Sequence, residues 1–263
     1  MDLGLEGAVA VITGGTSGIG LATARAFLSE GADVAVCGRD EVRLQQAQTA
    51  LATAFGANRI LALRCDVTKA EQTNAFADAV RAWRQRADIL INNAGQGRMS
   101  TFATTTDEQW RDELELKYFS QIFPIRAFQP LLDKSQQAAI VAINSLLAYQ
   151  PEPYMVCTSS ARAGVQSLLK SLATEFAGRI RVNSVVLGLI DSGQWQRRFE
   201  AREDQSQSRE DWIAQLAKSK HIPFGRLGLP EEVARAVVFL SSPKVAYITG
   251  ASLEISGGVS RYI

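Results

Sequence analysis

Histidine is almost missing from this 263-residue chain, which has only His221. A single imidazole cannot build a histidine-based zinc centre. The three cysteines, Cys37, Cys65 and Cys157, are too far apart for metal-ligand spacing. No metal site is expected. Cys37 and Cys65 fall in strand-like stretches and read as small buried residues, and the cysteine usage fits a reducing cytoplasm. Neither sign of charge is in excess, since 28 basic and 27 acidic residues leave a net +1. That balance excludes the basic field of a nucleic-acid binder, and no polybasic tract marks a membrane surface. No apolar run approaches a membrane span, and residues 1–6 are too short and too acidic for a secretion signal. Internal repeats and linker compositions are also missing, so a single domain over 1–263 is expected.

What the chain does have is 46% hydrophobic residues and one distinctive stretch, V-A-V-I-T-G-G-T-S-G-I-G at 9–20. Five β-prone residues run into glycines at 14, 15, 18 and 20, and a helix-like segment opens at Leu21. Glycines allow positive φ and close approach of a ligand. The amides and dipole of a new helix favour an anion such as a pyrophosphate. Such a turn alone is weak evidence, because an ordinary loop can look the same. Its place at the mouth of a first strand–helix unit favours a dinucleotide.

Strand-like and helix-like stretches then alternate. Strands are expected at 33–37, 59–64, 88–91, 138–144, 180–186 and 252–255. Helices are expected at 40–55 (capped by Asp40), 69–84, 107–132 (capped by Asp107 and kinked at Pro124), 154–176 and 230–240. Runs such as V-A-V-I and A-I-V-A-I are apolar on both faces, as a parallel sheet covered on both sides requires. The fold class is therefore α/β: a doubly wound, mostly parallel sheet of about seven strands with helices on both faces. Ligands of such sheets sit outside the carboxyl ends of the strands, so the residues just after each strand are the candidates. Arg39 follows the second strand, where its guanidinium suits a nucleotide 2′-phosphate, and its bland alternative is a solvated arginine. Asp66 could accept from an adenine amino group or simply cap the turn before Thr68.

Together, T-G-G-T-S-G-I-G at 13–20, C-D-V at 65–67, N-N-A-G at 92–95, Ser145 after the fifth strand, P-E-E-V-A-R-A-V-V-F-L at 230–240 and the following Y-I-T-G-A-S-L-E-I-S-G-G resemble the short-chain dehydrogenase/reductases. The likeness runs in order over essentially the whole chain. It implies an NAD(P)-dependent oxidoreductase on one Rossmann domain. By resemblance, Gly14, Thr16, Ser17, Gly18, Ile19 and Gly20 hold the pyrophosphate, and Asp66 and Val67 lie on the adenine side. Asn93, Ala94 and Gly95 back the adenosine, while Gly188, Ile190 and Ser192 meet the nicotinamide end. It also implies homodimers or homotetramers through the two long helices.

The departures are as informative. The family's usual catalytic set is Asn, Ser, Tyr and Lys, with Y-x-x-x-K starting thirteen residues after the serine. Counting from Ser145 gives Thr158 and Arg162, and the Asn position, seven after Trp110, is Lys117. An aliphatic hydroxyl cannot ionise as the tyrosine does, and a guanidinium cannot shuttle protons. Arg162 can still bond the nicotinamide ribose and place a fixed positive charge there. Lys117 lies in a Trp110–Leu114–Lys117 stripe, expected to face inward. Buried near Arg162 it could be tuned as a general acid or simply polarise the substrate oxygen; the bland alternative is that it snorkels to solvent or bonds backbone carbonyls in a kinked helix. Ser145 is expected to hydrogen-bond the substrate oxygen. Tyr154, one turn before Thr158, is the best placed of three tyrosines (with Tyr118 and Tyr149) to supply a proton, although each could be a pocket wall.

Residues 191–222, polar with Trp195, Phe199 and Trp212, read as a substrate lid or as a solvated helix pair. The expected activity is interconversion of a small carbonyl compound and its alcohol, with NADP(H) preferred over NAD(H). A silent NADP(H)-binding sensor or scaffold, or a non-redox lyase or isomerase, are the competing readings.

Overall fold

The computed structural model describes residues 2–262, apart from the side chain of Gln194. Each apolar run becomes a strand: β1 (Val9–Thr13), β2 (Asp33–Gly38), β3 (Ile60–Arg64), β4 (Ile89–Asn92), β5 (Ala139–Ser145), β6 (Arg181–Leu187) and β7 (Ser252–Ile255). They pair in the order β3-β2-β1-β4-β5-β6-β7, every pair parallel. This is the doubly wound Rossmann-type α/β sheet. The order reverses at β1–β4, which opens a crevice at the carboxyl ends of those two strands.

Side-chain alternation splits the core into two layers. Val9, Val11 and Leu90 face a layer with Phe76, Phe128 and Leu169. Ala10, Ile12 and Ile91 face the other, with Phe27, Leu51 and Val237. The helices supplying these layers are α1 (Gly18–Ser29), α2 (Glu41–Phe55), α3 (Ala70–Arg84), α4 (Asp107–Leu114), α5 (Ser120–Leu132), α6 (Val156–Glu175), α7 (Gly193–Glu200), α8 (Arg209–Ser219) and α9 (Pro230–Ser241). Asp40 caps α2 by accepting from the Arg43 amide at 3.0 Å.

The long helix differs from the sequence expectation. It is two helices, α4 and α5, joined by a π turn at Glu115–Phe119, and the cap is Thr106, which forms a capping box with Gln109. The irregularity lies one turn ahead of Pro124, whose missing N–H cannot continue an α-helical ladder. Of the expected inward stripe, Lys117 is buried and Trp110 half-buried, but Leu114 is not on it. Leu114 is 40% exposed, whereas Glu113, Lys117, Ser120 and Gln121 are buried. Residues 191–222 contain α7 and α8. Trp212 packs against Trp195 (centroids 6.1 Å apart) and Phe199 (5.7 Å), and Asp191 pairs with Arg209 at 2.5 Å. His221 is exposed and ends α8 in a left-handed turn.

Candidate active site at the carboxyl ends of the strands

The turn after β1 is braced from β4. Thr13 Oγ1 accepts from the Asn93 amide (3.0 Å) and the Ala94 amide (3.1 Å), and Asn93 Nδ2 donates to the carbonyls of Thr13 (2.9 Å) and Gly14 (3.1 Å). The glycines allow this fit. A Cβ at Gly20 would strike the Gly14 carbonyl and lie 2.5 Å from Asn93 Nδ2, and Gly14 itself has φ +65°. Helix α1 starts at Gly18, earlier than the sequence reading, so Gly18, Ile19 and Gly20 form its first turn. Ser17 makes no side-chain cap bond, and no acidic residue sits in that turn. The unclaimed amides and uncompensated dipole suit a phosphate.

The remaining nucleotide candidates lie at the carboxyl ends of neighbouring strands. Thr16 packs on Gly38, where a Cβ would lie 2.6 Å from its methyl. Arg39 is exposed at the end of β2 and forms no ion pair among the described residues. Asp66 accepts from the Thr68 amide (3.0 Å) and hydroxyl (2.8 Å), with buried Val67 beside it. Burial works to raise the Asp66 carboxyl, but the Thr68 hydrogen bonds, with Arg39 and Lys69 nearby, hold it below its usual value. A Cβ at Gly18 would lie 3.8 Å from Ser192 Cβ, Ile190 is buried, and a Cβ at Gly188 would lie 3.0 Å from the Ser256 α-carbon.

The catalytic candidates form a second group, built on the π turn, the end of β5 and the first turns of α6. Lys117 is 3% exposed. Its Nζ donates to Glu113 Oε1 and to the Gln96 carbonyl, each at 2.7 Å. Burial chiefly, then repulsion from Arg162, lowers its pKa to about 8 against the opposing pull of Glu113. Thr158 is buried, and its hydroxyl also hydrogen-bonds Glu113 Oε1. Arg162 donates through Nη1 to the Ile143 carbonyl at 2.7 Å, and its buried Nε has no partner among the described residues. Burial lowers its pKa to about 10, which leaves it charged at neutral pH. Gly95 lies beside the other guanidinium nitrogen, 3.6 Å from where a Cβ would stand. Ser145 closes β5, and its Oγ accepts from the Leu147 amide at 3.3 Å.

Lys117 and Thr158 are thus linked through one buried carboxylate, Glu113, which sequence reasoning missed and whose charge also favours the Arg162 guanidinium. The available signal was its position four residues before Lys117, which puts both on one helix face. The tyrosines are placed elsewhere. Tyr154 precedes α6 instead of lying within it and is 63% exposed, so one-turn helical spacing to Thr158 does not apply. Tyr149 bonds Ser252 at 3.2 Å and packs on Tyr262, and the Tyr118 hydroxyl abuts Gly164.

A family model described as enoyl-(acyl carrier protein) reductase matches residues 14–260. The 3beta-hydroxysteroid dehydrogenase 1 of Eggerthella lenta is 32% identical, over 98% of this chain and 95% of its own. Among solved structures, a short-chain oxidoreductase of Pseudomonas aeruginosa PAO1, described as containing an atypical catalytic center, is 56% identical. It covers 97% of this chain and 98% of its own, with a TM-score of 0.94 without ligand and 0.92 with NADPH bound. The L-sorbose reductase of Gluconobacter frateurii, solved with NADPH and L-sorbose, is 35% identical over 100% of both chains with a TM-score of 0.95.

Proposed function

Because the chain belongs to the short-chain dehydrogenase/reductase family, we propose that it is an NADP(H)-dependent oxidoreductase that interconverts a small carbonyl compound and its alcohol. The observation that carries the reading is the buried Lys117 ammonium, held by Glu113 and the Gln96 carbonyl with a pKa of about 8. An acid so tuned is matched to proton transfer near neutral pH. NADPH-bound relatives and the atypical center of the Pseudomonas protein support it.

The residues present fit the nucleotide. Gly14, Thr16, Ser17, Gly18, Ile19 and Gly20 hold the pyrophosphate, Arg39 takes the 2′-phosphate, and Asp66 and Val67 border the adenine. Asn93, Ala94 and Gly95 support the adenosine side, and Gly188, Ile190 and Ser192 the nicotinamide end. The unpartnered Arg162 Nε is a donor suited to the nicotinamide ribose. When bound, NADPH supplies the hydride. Ser145, whose Oγ only accepts from Leu147, donates to the substrate oxygen, and Lys117 gives that oxygen its proton. Arg162 fixes a positive charge beside the oxygen as negative charge develops. The chain acts as one domain, 1–263, with 191–222 closing over the substrate, and it assembles as a homodimer or homotetramer.

Fluorescence titration with NADPH and NADH, followed by a panel of aldehydes, ketones and alcohols read at the nicotinamide band, tests the reading. Lys117→Ala should abolish turnover while NADPH still binds. Nucleotide binding with no turnover on any compound would favour a silent binding protein, and turnover by Lys117→Ala would remove the lysine from its role.

A further inference from the structure

The surroundings of Glu113 decide which group in this site can release a proton. Its carboxylate is 3% exposed, and one oxygen accepts from both Lys117 Nζ and Thr158 Oγ1. A threonine hydroxyl carries one proton. The Arg98 carbonyl also lies 3.4 Å from this hydroxyl, but the carboxylate is much nearer and charged, so the proton goes to Glu113 and Thr158 presents lone pairs to its other neighbours, among them the Arg98 amide at 3.4 Å. A lysine ammonium has three N–H bonds. Two are taken by Glu113 and the Gln96 carbonyl, and the third is uncommitted.

We propose that Glu113 is a positioning residue: by accepting from both side chains it fixes Thr158 as an anchor and leaves Lys117 as the group that surrenders the proton. The proposal rests on the reading of Lys117 given above. The charged groups facing Lys117 are Glu113 from its own helix, Arg162 from α6 and Arg98 from the loop after β4. Burial and the two guanidinium groups disfavour the ammonium, and Glu113 alone among the three opposes them. Without that carboxylate the amine becomes neutral at a pH where reduction needs it charged. A residue that only fills space would leave this titration where it is.

The test follows the Lys117 side-chain resonance by NMR in protein labelled with [13C]lysine, assigned with Lys117→Met, and needs no substrate. In the wild type the resonance should titrate near pH 8. In Glu113→Gln the midpoint should fall by at least about one pH unit, as expected for loss of an adjacent opposite charge. Glu113→Asp, which keeps the charge, should stay closer to wild type than Glu113→Gln does, and Thr158→Val, which removes only the anchored hydroxyl, should leave the midpoint near wild type. The pH profile of kcat/KM for NADPH oxidation should move the same way, its alkaline fall starting at least tenfold higher in proton concentration in Glu113→Gln. A Glu113→Gln protein with the wild-type midpoint and pH profile overturns the proposal, even if Lys117→Ala is inactive. Turnover by Lys117→Ala, by contrast, overturns the reading on which it rests. Should Glu113→Gln not fold, Glu113→Ala, which also removes the charge, takes its place: a midpoint lowered by at least about one unit supports the proposal, and an unmoved midpoint overturns it.

Discussion

Replacement of Lys117 by methionine should make the stability of the protein respond differently to pH, and the size of the effect follows from its surroundings. In the folded chain the lysine titrates at about 8, against an ordinary value of 10.5, because burial and Arg162 outweigh Glu113. That difference corresponds to about 3 kcal/mol held against the folded state wherever both states are protonated. The sign is fixed by proton binding. Below pH 8 both states carry the charge, and the folded state bears the full penalty. Between about 8 and 10.5 the unfolded chain binds more protons, so stability rises with pH. From pH 7 to 9.5 the wild type should therefore gain about 2 kcal/mol on Lys117→Met, whatever their difference at pH 7. Urea unfolding of both proteins without nucleotide, at several pH values across that interval, measures it. Taking the difference between the two proteins cancels the remaining lysines and tyrosines. A difference that stays flat with pH would show that Lys117 titrates normally and is not held as described.

Three further outcomes are expected. Thr13→Val removes the oxygen that accepts from the Asn93 and Ala94 amides; leaving two donors unpaired at the β1–β4 crevice should cost about 2–4 kcal/mol in urea unfolding. Gly20→Ala forces a methyl onto the Gly14 carbonyl and Asn93 Nδ2, and should weaken NADPH binding about tenfold or more by isothermal titration calorimetry. Arg39→Ala should weaken NADPH by about 10- to 100-fold while leaving NADH little changed, and equal affinity for both nucleotides in the wild type would contradict the 2′-phosphate role.

How far the sequence led depended on whether a feature was local. Strand positions were legible because residues such as Val34, Val36, Ile140 and Val141 are buried on both faces of a parallel sheet, and such runs stand out in any reading frame. The glycine turn was legible because steric needs at Gly14 and Gly20 leave little choice of residue. The π turn at Glu115–Phe119 was not, since its cause is spread over Pro124 and the packing of a whole helix face. The inward face was also misplaced in part, because Glu113, Lys117, Ser120 and Gln121 share one face at ordinary helical spacing and Leu114 lies off it. Glu113 itself looked like one more acid in a polar segment, D-E-Q-W-R-D-E-L. Its meaning comes from Thr158, 45 positions away, meeting it across two helices. Tyr154 shows the converse: spacing placed it one turn before Thr158, but α6 begins after it and the ring is left exposed.

The substitutions at 117, 158 and 162 make physical sense only as a group. The usual Asn, Ser, Tyr and Lys of the family carry one cation beside a phenol whose pKa that cation lowers. Here Lys117 adds a second cation beside Arg162, and two like charges in a buried site each disfavour the other. Glu113 offsets one of them, so Lys117, Arg162 and Glu113 together carry the same single net positive charge. The carboxylate in turn constrains position 158. Threonine is short enough to donate to Glu113 from the first turn of α6, whereas a phenol holds its hydroxyl a ring's length farther from the backbone and could not make that bond. Arginine at 162 reaches the Ile143 carbonyl and stays charged despite burial, so in the proposed mechanism it supplies a fixed charge without competing for the proton. On the proposed reading, the titrating group has moved from α6 to the π turn, from an acid neutral at rest to one charged at rest. A lysine that donates from its charged form leaves a neutral amine next to Arg162, which relieves the repulsion that Arg162 imposed on it. Proton release at 117 is thereby favoured by the same neighbour that the phenol of the usual set would have needed for its own ionisation.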